Sequence, residues 1–157
     1  MLVYRLLAAQ VDAAQAAERG VEEAGGAAAK WVPGLGPGWE VEWVNAAGES
    51  LLPFDVRLTG PPGSGPPGPE PSGSGAAPER GRAVVLVEVK TTTEREKRLF
   101  EVSLPELECA RAYGERFLIA RVFLAPGLEE TCRVVVLKAP YRLLESHGAD
   151  LLMRFYE

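Results

Sequence analysis

The chain has 157 residues, of which 46% are hydrophobic and 25% are charged, and this composition is typical of one globular domain with its own core. Its formal net charge of -5 excludes a protein that coats nucleic acid through its overall charge, because phosphate binding requires clustered Lys and Arg. Any contact with nucleic acid must therefore be local.

Cysteine and histidine usage excludes several kinds of site. Cys109 and Cys132 are far apart and give neither a disulfide framework nor a C-x-x-C metal pair, so we interpret them as buried free thiols in a reducing compartment. The single histidine, His147, leaves a His-Cys zinc site and a Ser-His-Asp triad without their parts.

Membrane and export signals are also missing from the pattern. The apolar runs are too short to span a bilayer, and the N-terminus lacks the order of a signal peptide. We therefore predict a soluble, intracellular protein with no membrane partner.

The N-terminal segment is rich in Ala, and its larger apolar residues recur at helical spacing from Leu2 onward. This pattern predicts a helix over residues 2–28, or two helices if Gly20 interrupts it. Because the helical pattern is already under way at Leu2, we expect that Met1 marks the start of a fragment, with further domains upstream.

Two strands are predicted next. In WEVEWVN, residues 39–45, apolar and acidic residues alternate as they do in a half-exposed strand. A turn leads to LLPFDVRL, residues 51–58, which predicts the second strand.

Residues 60–82 contain no aliphatic side chain larger than Ala and no aromatic one, and they hold seven of the thirteen prolines. Such a segment cannot bury enough apolar surface to offset the entropy of ordering. We predict a disordered loop within a single domain that spans residues 1–157.

The rest of the chain predicts strands around one helix. AVVLVEVK, residues 83–90, is typical of a buried strand. Ser103 and Glu106 form the S-x-x-E pattern of a capping box, so a helix should begin at Ser103 and end near Gly114. Two apolar runs of strand length follow, then a turn or short helix and a last short strand. The fold class is therefore α/β, a mixed sheet flanked by helices.

Charged residues at the end of the buried strand are the candidate site. Glu88 and Lys90 are two residues apart and share one face of the strand. Asp55 precedes the predicted loop on the neighbouring strand, and a hairpin would bring it toward them. Two carboxylates can hold a hard cation such as Mg²⁺, and a lysine beside them can orient water or offset charge during phosphodiester hydrolysis. The competing interpretation is an ion pair at the sheet edge.

A resemblance makes this pattern more specific. The order and gaps of three segments resemble those of the C-terminal domain of the plant protein NO VEIN and its relatives over about residues 39–124. The segments are WEVEWVN, LPFDVRL and VEVKTTTEREKRLFEVSLPELECARAYGERFLIARVF.

This resemblance implies a fold like that of the PD-(D/E)xK nucleases, a four-stranded mixed sheet of restriction-endonuclease type. It places Asp55, Glu88 and Lys90 at the signature positions, with Asp55 and Glu88 as ligands of Mg²⁺. The family also has a Gly-Glu pair in its first helix. Here AERGVEEAGG stands in its place, and Glu22 is our choice for that carboxylate over Glu23 and Glu18.

The function that the resemblance implies is a nuclease-like, nucleic-acid-associated domain, intracellular and nuclear, with DNA or RNA as its partner. The alternative is a catalytically inactive recognition or scaffold module of a larger developmental or regulatory protein.

Overall fold

The computed structural model describes residues 2–18, 32, 34–66, 81–94, 97, 99–125 and 128–146. Three α-helices and five strands lie in these ranges: α1 Leu2–Glu18, β1 Glu40–Trp43, β2 Val56–Pro62, β3 Arg82–Thr92, α2 Leu104–Tyr113, β4 Phe117–Ala125, β5 Leu128–Lys138 and α3 Pro140–Glu145. A single 3₁₀ turn, Gly114–Arg116, joins α2 to β4. None of the helices in the described ranges is long and apolar enough to cross a membrane.

The five strands form one sheet in the order β1-β2-β3-β4-β5. β3 and β4 run parallel, and every other neighbouring pair is antiparallel. A parallel pair requires a crossover, which α2 supplies between β3 and β4. The predicted fold class, a mixed sheet flanked by helices, is confirmed, with one strand more than the resemblance implies.

The long central strand β3 separates two apolar clusters. Val85 and Val87 pack on one side in a cluster that includes Val3 and Leu7 of α1. Side chains of the other face pack with α2 and the segments beside it; they are Val84 and Leu86 with Phe54, Ala110 and Phe117. The predicted alternation is therefore confirmed, and Glu88 and Lys90 continue the row that faces α2.

The hairpin of β2 and β3 differs from its predicted bounds at both ends. The second strand begins at Val56 rather than residue 51, and Leu51 has a positive φ of 58° that extended backbone does not allow. Pairing continues to Pro62 opposite Arg82, so the strands extend into the predicted loop. Of that loop, residues 67–80 lie outside the described residues.

Helix α2 begins and ends where the sequence predicts. Ser103 is the N-cap, its hydroxyl accepts from the Glu106 N–H, and Gly114 is the C-cap. Residues 99–103, which precede α2, are neither helix nor strand. Phe100 and Val102 instead pack against the cluster under α2. The end of the predicted first helix and the predicted last strand lie outside the described residues.

Gly60 in β2 leaves room for the indole ring of Trp39, the residue before β1, to pack directly on the strand. A Cβ at this position would overlap the indole ring of Trp39, which is buried. We expect Gly60→Ala to lower the free energy of unfolding by about 1–3 kcal/mol, as overpacking of a core does. Urea denaturation measures this. Gly36→Ala is the matched control, because nothing lies within reach of a Cβ there, and equal stability losses in both variants would contradict the expectation.

Candidate functional site

The centre of the candidate site is an ammonium group held between two carboxylates. Lys90 Nζ lies 2.9 Å from Glu88 Oε1 and 2.9 Å from Glu106 Oε1. The side chains of Lys90, Glu88 and Glu106 are 20%, 11% and 13% exposed, so these ion pairs are largely shielded from solvent. Such pairs are screened less by salt than surface pairs are. The structure thus brings Glu88 and Lys90 together, as predicted, and adds a third member.

Glu106 has two roles, of which sequence reasoning found one. Its Oε2 accepts a hydrogen bond from the Ser103 N–H at 2.9 Å, which completes the predicted capping box. Its Oε1 accepts from Lys90 at 2.9 Å. The S-x-x-E pattern fixes the cap locally, whereas the contact with Lys90 depends on how α2 crosses β3. The cap could be predicted for that reason, and the second contact could not.

Asp55 lies just before β2 and is attached to the backbone of β3. Its N–H donates to the Val87 carbonyl at 3.0 Å, and its Oδ2 accepts from the Val89 N–H at 2.9 Å. Its Oδ1 accepts from Asn45 Nδ2 at 2.8 Å. The two backbone contacts flank Glu88, so the hairpin places Asp55 beside the charged end of β3.

Asn45 is a positioning residue that sequence reasoning missed. Its side-chain oxygen accepts from the Ser50 N–H at 3.0 Å while its amide donates to Asp55. It therefore links the start and the end of the turn that joins β1 to β2. An Asn at a strand end followed by a Gly-containing turn is a signal for such a contact, but the sequence alone does not identify the partner.

Asp55 also borders a groove on the α1 side of the sheet. The groove has a volume of about 240 Å³ and is lined by Val3, Tyr4, Trp43, Asn45, Asp55, Val56 and Val89. Asp55 therefore lines a groove on the face of the sheet opposite to the row that contains Glu88 and Lys90. Its charge contributes to the raised pKa of Glu88, so the two carboxylates are close enough to repel each other.

The pKa values of the cluster reflect burial and excess negative charge. Burial raises the pKa of Glu88 to about 7, the hydrogen bond from Lys90 opposes this, and the charges of Asp55 and Glu106 add to it. Burial by itself would lower the pKa of Lys90, but hydrogen bonds to Glu106 and Glu88 raise it. Lys90 therefore stays protonated at neutral pH, whereas Glu88 exchanges its proton there.

Cys109 lies on α2 near this cluster and is a free thiol. Burial and the charge of Glu88 raise its pKa to about 12, so it is a protonated thiol rather than a nucleophile. Cys132 belongs to β5, as predicted, but its side chain is not among those described.

The carboxylate predicted for the first helix does not enter the description of the site, because Glu22 and Glu23 lie outside the described residues and so does the side chain of Glu18. Within the described residues, no group of three or more His, Cys, Asp or Glu side chains is arranged to hold a metal ion.

The family model for the C-terminal region of protein NO VEIN matches residues 13–136. The chain belongs to the NO VEIN C-terminal domain family. The match includes Asp55, Glu88, Lys90 and Glu106, so the whole charged cluster lies in the NO VEIN C-terminal domain. Comparisons with curated proteins and with solved structures gave no match.

The raised pKa of Glu88 predicts a pH dependence of stability. Between its ordinary value of 4.5 and about 7, the folded domain keeps a proton that the unfolded chain has released. The free energy of unfolding should therefore fall as the pH rises through this window and level off above it. The loss is on the order of 3 kcal/mol.

We expect Glu88→Gln to abolish this part of the pH dependence and to be more stable than the parent above pH 7. Urea denaturation at several pH values measures it. Glu108→Gln, which removes an exposed carboxylate of α2, should leave the slope unchanged. An unaltered slope in Glu88→Gln would show that Glu88 has an ordinary pKa.

Proposed function

We propose that this NO VEIN C-terminal domain is a nuclease-like, nucleic-acid-associated module in which Asp55, Glu88 and Lys90 serve metal-assisted hydrolysis of a phosphodiester bond in DNA or RNA. The observation that supports it is the charge balance at the end of β3. The ammonium group of Lys90 contacts Glu88 and Glu106 there, and the charge of Asp55 also acts on Glu88. Burial, together with this excess of negative charge, raises the pKa of Glu88 to about 7, and a divalent cation would offset the negative charge.

The donor set fits Mg²⁺. This ion prefers oxygen ligands and is often bound through one or two carboxylates, with water and substrate phosphate completing its shell. Asp55 and Glu88 would hold it, since each oxygen of Asp55 accepts one described hydrogen bond and retains further lone pairs. A bound Mg²⁺ would polarise the phosphate and acidify a water molecule.

The protein side chains have distinct roles in this proposal. Lys90 is kept protonated by Glu88 and Glu106, so it can donate to a phosphate oxygen or orient a water molecule. Glu88 can accept a proton near neutral pH because its pKa is about 7. Asp55 is fixed in orientation by Asn45 and the Val89 N–H. A nuclear location and upstream domains would suit such a module.

A second candidate function is a catalytically inactive recognition or scaffold module. It is favoured by the saturation of the cluster: Lys90 contacts two carboxylates, and both oxygens of Asp55 accept hydrogen bonds. In this case the network joins β3, α2 and the segment before β2 and serves stability alone.

Cleavage of nucleic acid tests the proposal directly. We expect labelled single- and double-stranded DNA or RNA to be cut in Mg²⁺ or Mn²⁺, with rates at least about 100-fold lower in Asp55→Asn and Lys90→Ala, as is typical for loss of acid-base or charge-stabilising groups. Asp12→Asn and Lys138→Ala remove the same charges at exposed positions and should cut normally. Absence of cleavage, or equal cleavage by the site variants, would exclude catalysis by these residues.

Metal binding separates the two candidates without an activity assay. A ligand that binds only the folded state stabilises it, by about 2.7 kcal/mol at 100 times its Kd. We expect the Tm to rise with Mg²⁺ or Mn²⁺ in the parent and Asp12→Asn, but not in Asp55→Asn or Glu88→Gln. The scaffold function predicts the same small response in all four proteins.

A further inference from the structure

Arg121 lies next to the charged cluster but is not part of it. It belongs to β4 and is the register partner of Lys90 in the parallel pair. It follows Phe117 and Ile119 at alternate positions and so continues the row that faces α2. Only 6% of the residue is exposed, which is rare for an arginine.

The guanidinium of Arg121 is surrounded by aromatic rings instead of acceptors. Its Cζ lies 5.4 Å from the ring centres of both Phe100 and Phe123. Its Nε is buried and has no hydrogen-bond partner, and no described carboxylate forms an ion pair with it. Cation-π contacts are weaker than ion pairs with good geometry, so the desolvation cost of this charge is only partly offset.

A second arginine extends the row of aromatic and cationic groups across the sheet. Arg133 of β5 is the register partner of Phe123, and its Cζ lies 4.3 Å from that ring centre. Arg133 is exposed, whereas Phe123 is half-buried. The row formed by Phe100, Arg121, Phe123 and Arg133 therefore leads from the surface to the side of Lys90.

The carboxylates nearest along this face are already engaged with Lys90. Glu88 and Glu106 both pair with its ammonium group, and Thr92 is the only other polar side chain of β3 that points along the same row beyond Lys90. Arg121 thus offers an oriented cation with no anionic partner in the described part of the domain.

We propose that Arg121 binds a phosphate group of a nucleic acid strand, with Phe100 and Phe123 holding the plane of its guanidinium in place. Guanidinium groups bind phosphate through two parallel hydrogen bonds, which suits a cation whose orientation is fixed. The inference rests on the proposed function for the identity of the ligand, since a phosphate bound here lies beside Lys90. It does not require that the domain cleave the strand.

Binding should be measured by fluorescence anisotropy with labelled single-stranded DNA and RNA oligonucleotides in EDTA, so that no metal-dependent cleavage occurs. We expect Arg121→Met to lower the affinity about tenfold. The slope of log affinity against log salt should become smaller by about 1, as expected for the loss of one phosphate contact. Arg121→Lys should lose less affinity because it keeps the charge. Arg5→Met removes an exposed arginine of α1 and should bind as the parent does.

Thermal denaturation of the same variants distinguishes binding from packing. Methionine keeps an apolar stem between the two rings and removes the unsatisfied Nε, so Arg121→Met should have a Tm equal to or above that of the parent. A folded Arg121→Met that binds as tightly as the parent would overturn the inference, as would a parent that binds neither oligonucleotide. If Arg121→Met does not fold, the Arg121→Lys variant decides. It keeps the positive charge but lacks the guanidinium fork, so a lower affinity would support the inference and an unchanged affinity would overturn it.

These outcomes separate the inference from catalysis. Binding that depends on Arg121 without any cleavage in Mg²⁺ would support the phosphate site and exclude the hydrolase. Cleavage that survives Arg121→Met and Arg121→Lys with unchanged KM would support the hydrolase and exclude the phosphate site.

Discussion

The position of the Lys90 ammonium between Glu88 and Glu106 is the interaction on which the charged end of the domain depends. It joins the last part of the central strand to the first turn of α2, and the same Glu106 caps that helix. Because all three side chains are largely buried, removing the lysine would leave two carboxylates facing each other in a poorly solvated place, which is costly. The crossover between β3 and β4 and the charged cluster therefore depend on the same contacts.

The positive and negative charges of this cluster are not balanced. One ammonium group cannot neutralise Glu88, Glu106 and the nearby Asp55, and this imbalance adds to the effect of burial, which raises the pKa of Glu88 to about 7. A network selected only for stability gains nothing from a carboxylate whose charged form is disfavoured at its position, since a glutamine of the same shape would avoid the repulsion. The cost of keeping Glu88 is easier to understand if a cation or a proton is exchanged at this position.

How much of this could be predicted from the sequence depends on the range of each interaction. The alternation in AVVLVEVK assigned Glu88 and Lys90 to one face, and the S-x-x-E pattern located the start of α2, because both depend on neighbours along the chain. The bounds of the hairpin were less accurate, since Leu51 breaks the strand and pairing with β3 extends β2 to Pro62. Periodicity cannot identify tertiary contacts. Among these are the contact of Glu106 with Lys90, that of Asn45 with Asp55, and those of the aromatic rings with Arg121.

The separation of Arg121 from the carboxylates supports the proposal that the charged end of the sheet is more than a stabilising network. Its neighbour in register, Lys90, pairs with two glutamates, yet the guanidinium itself contacts Phe100 and Phe123. A network that only maximised stability would bring this cation to the surplus carboxylates, because each would then relieve the desolvation of the other. An oriented cation beside, but apart from, a negatively charged carboxylate cluster would suit the proposed phosphate and its counter-cation, since the phosphate would bind the cation and the counter-cation would bind the carboxylates.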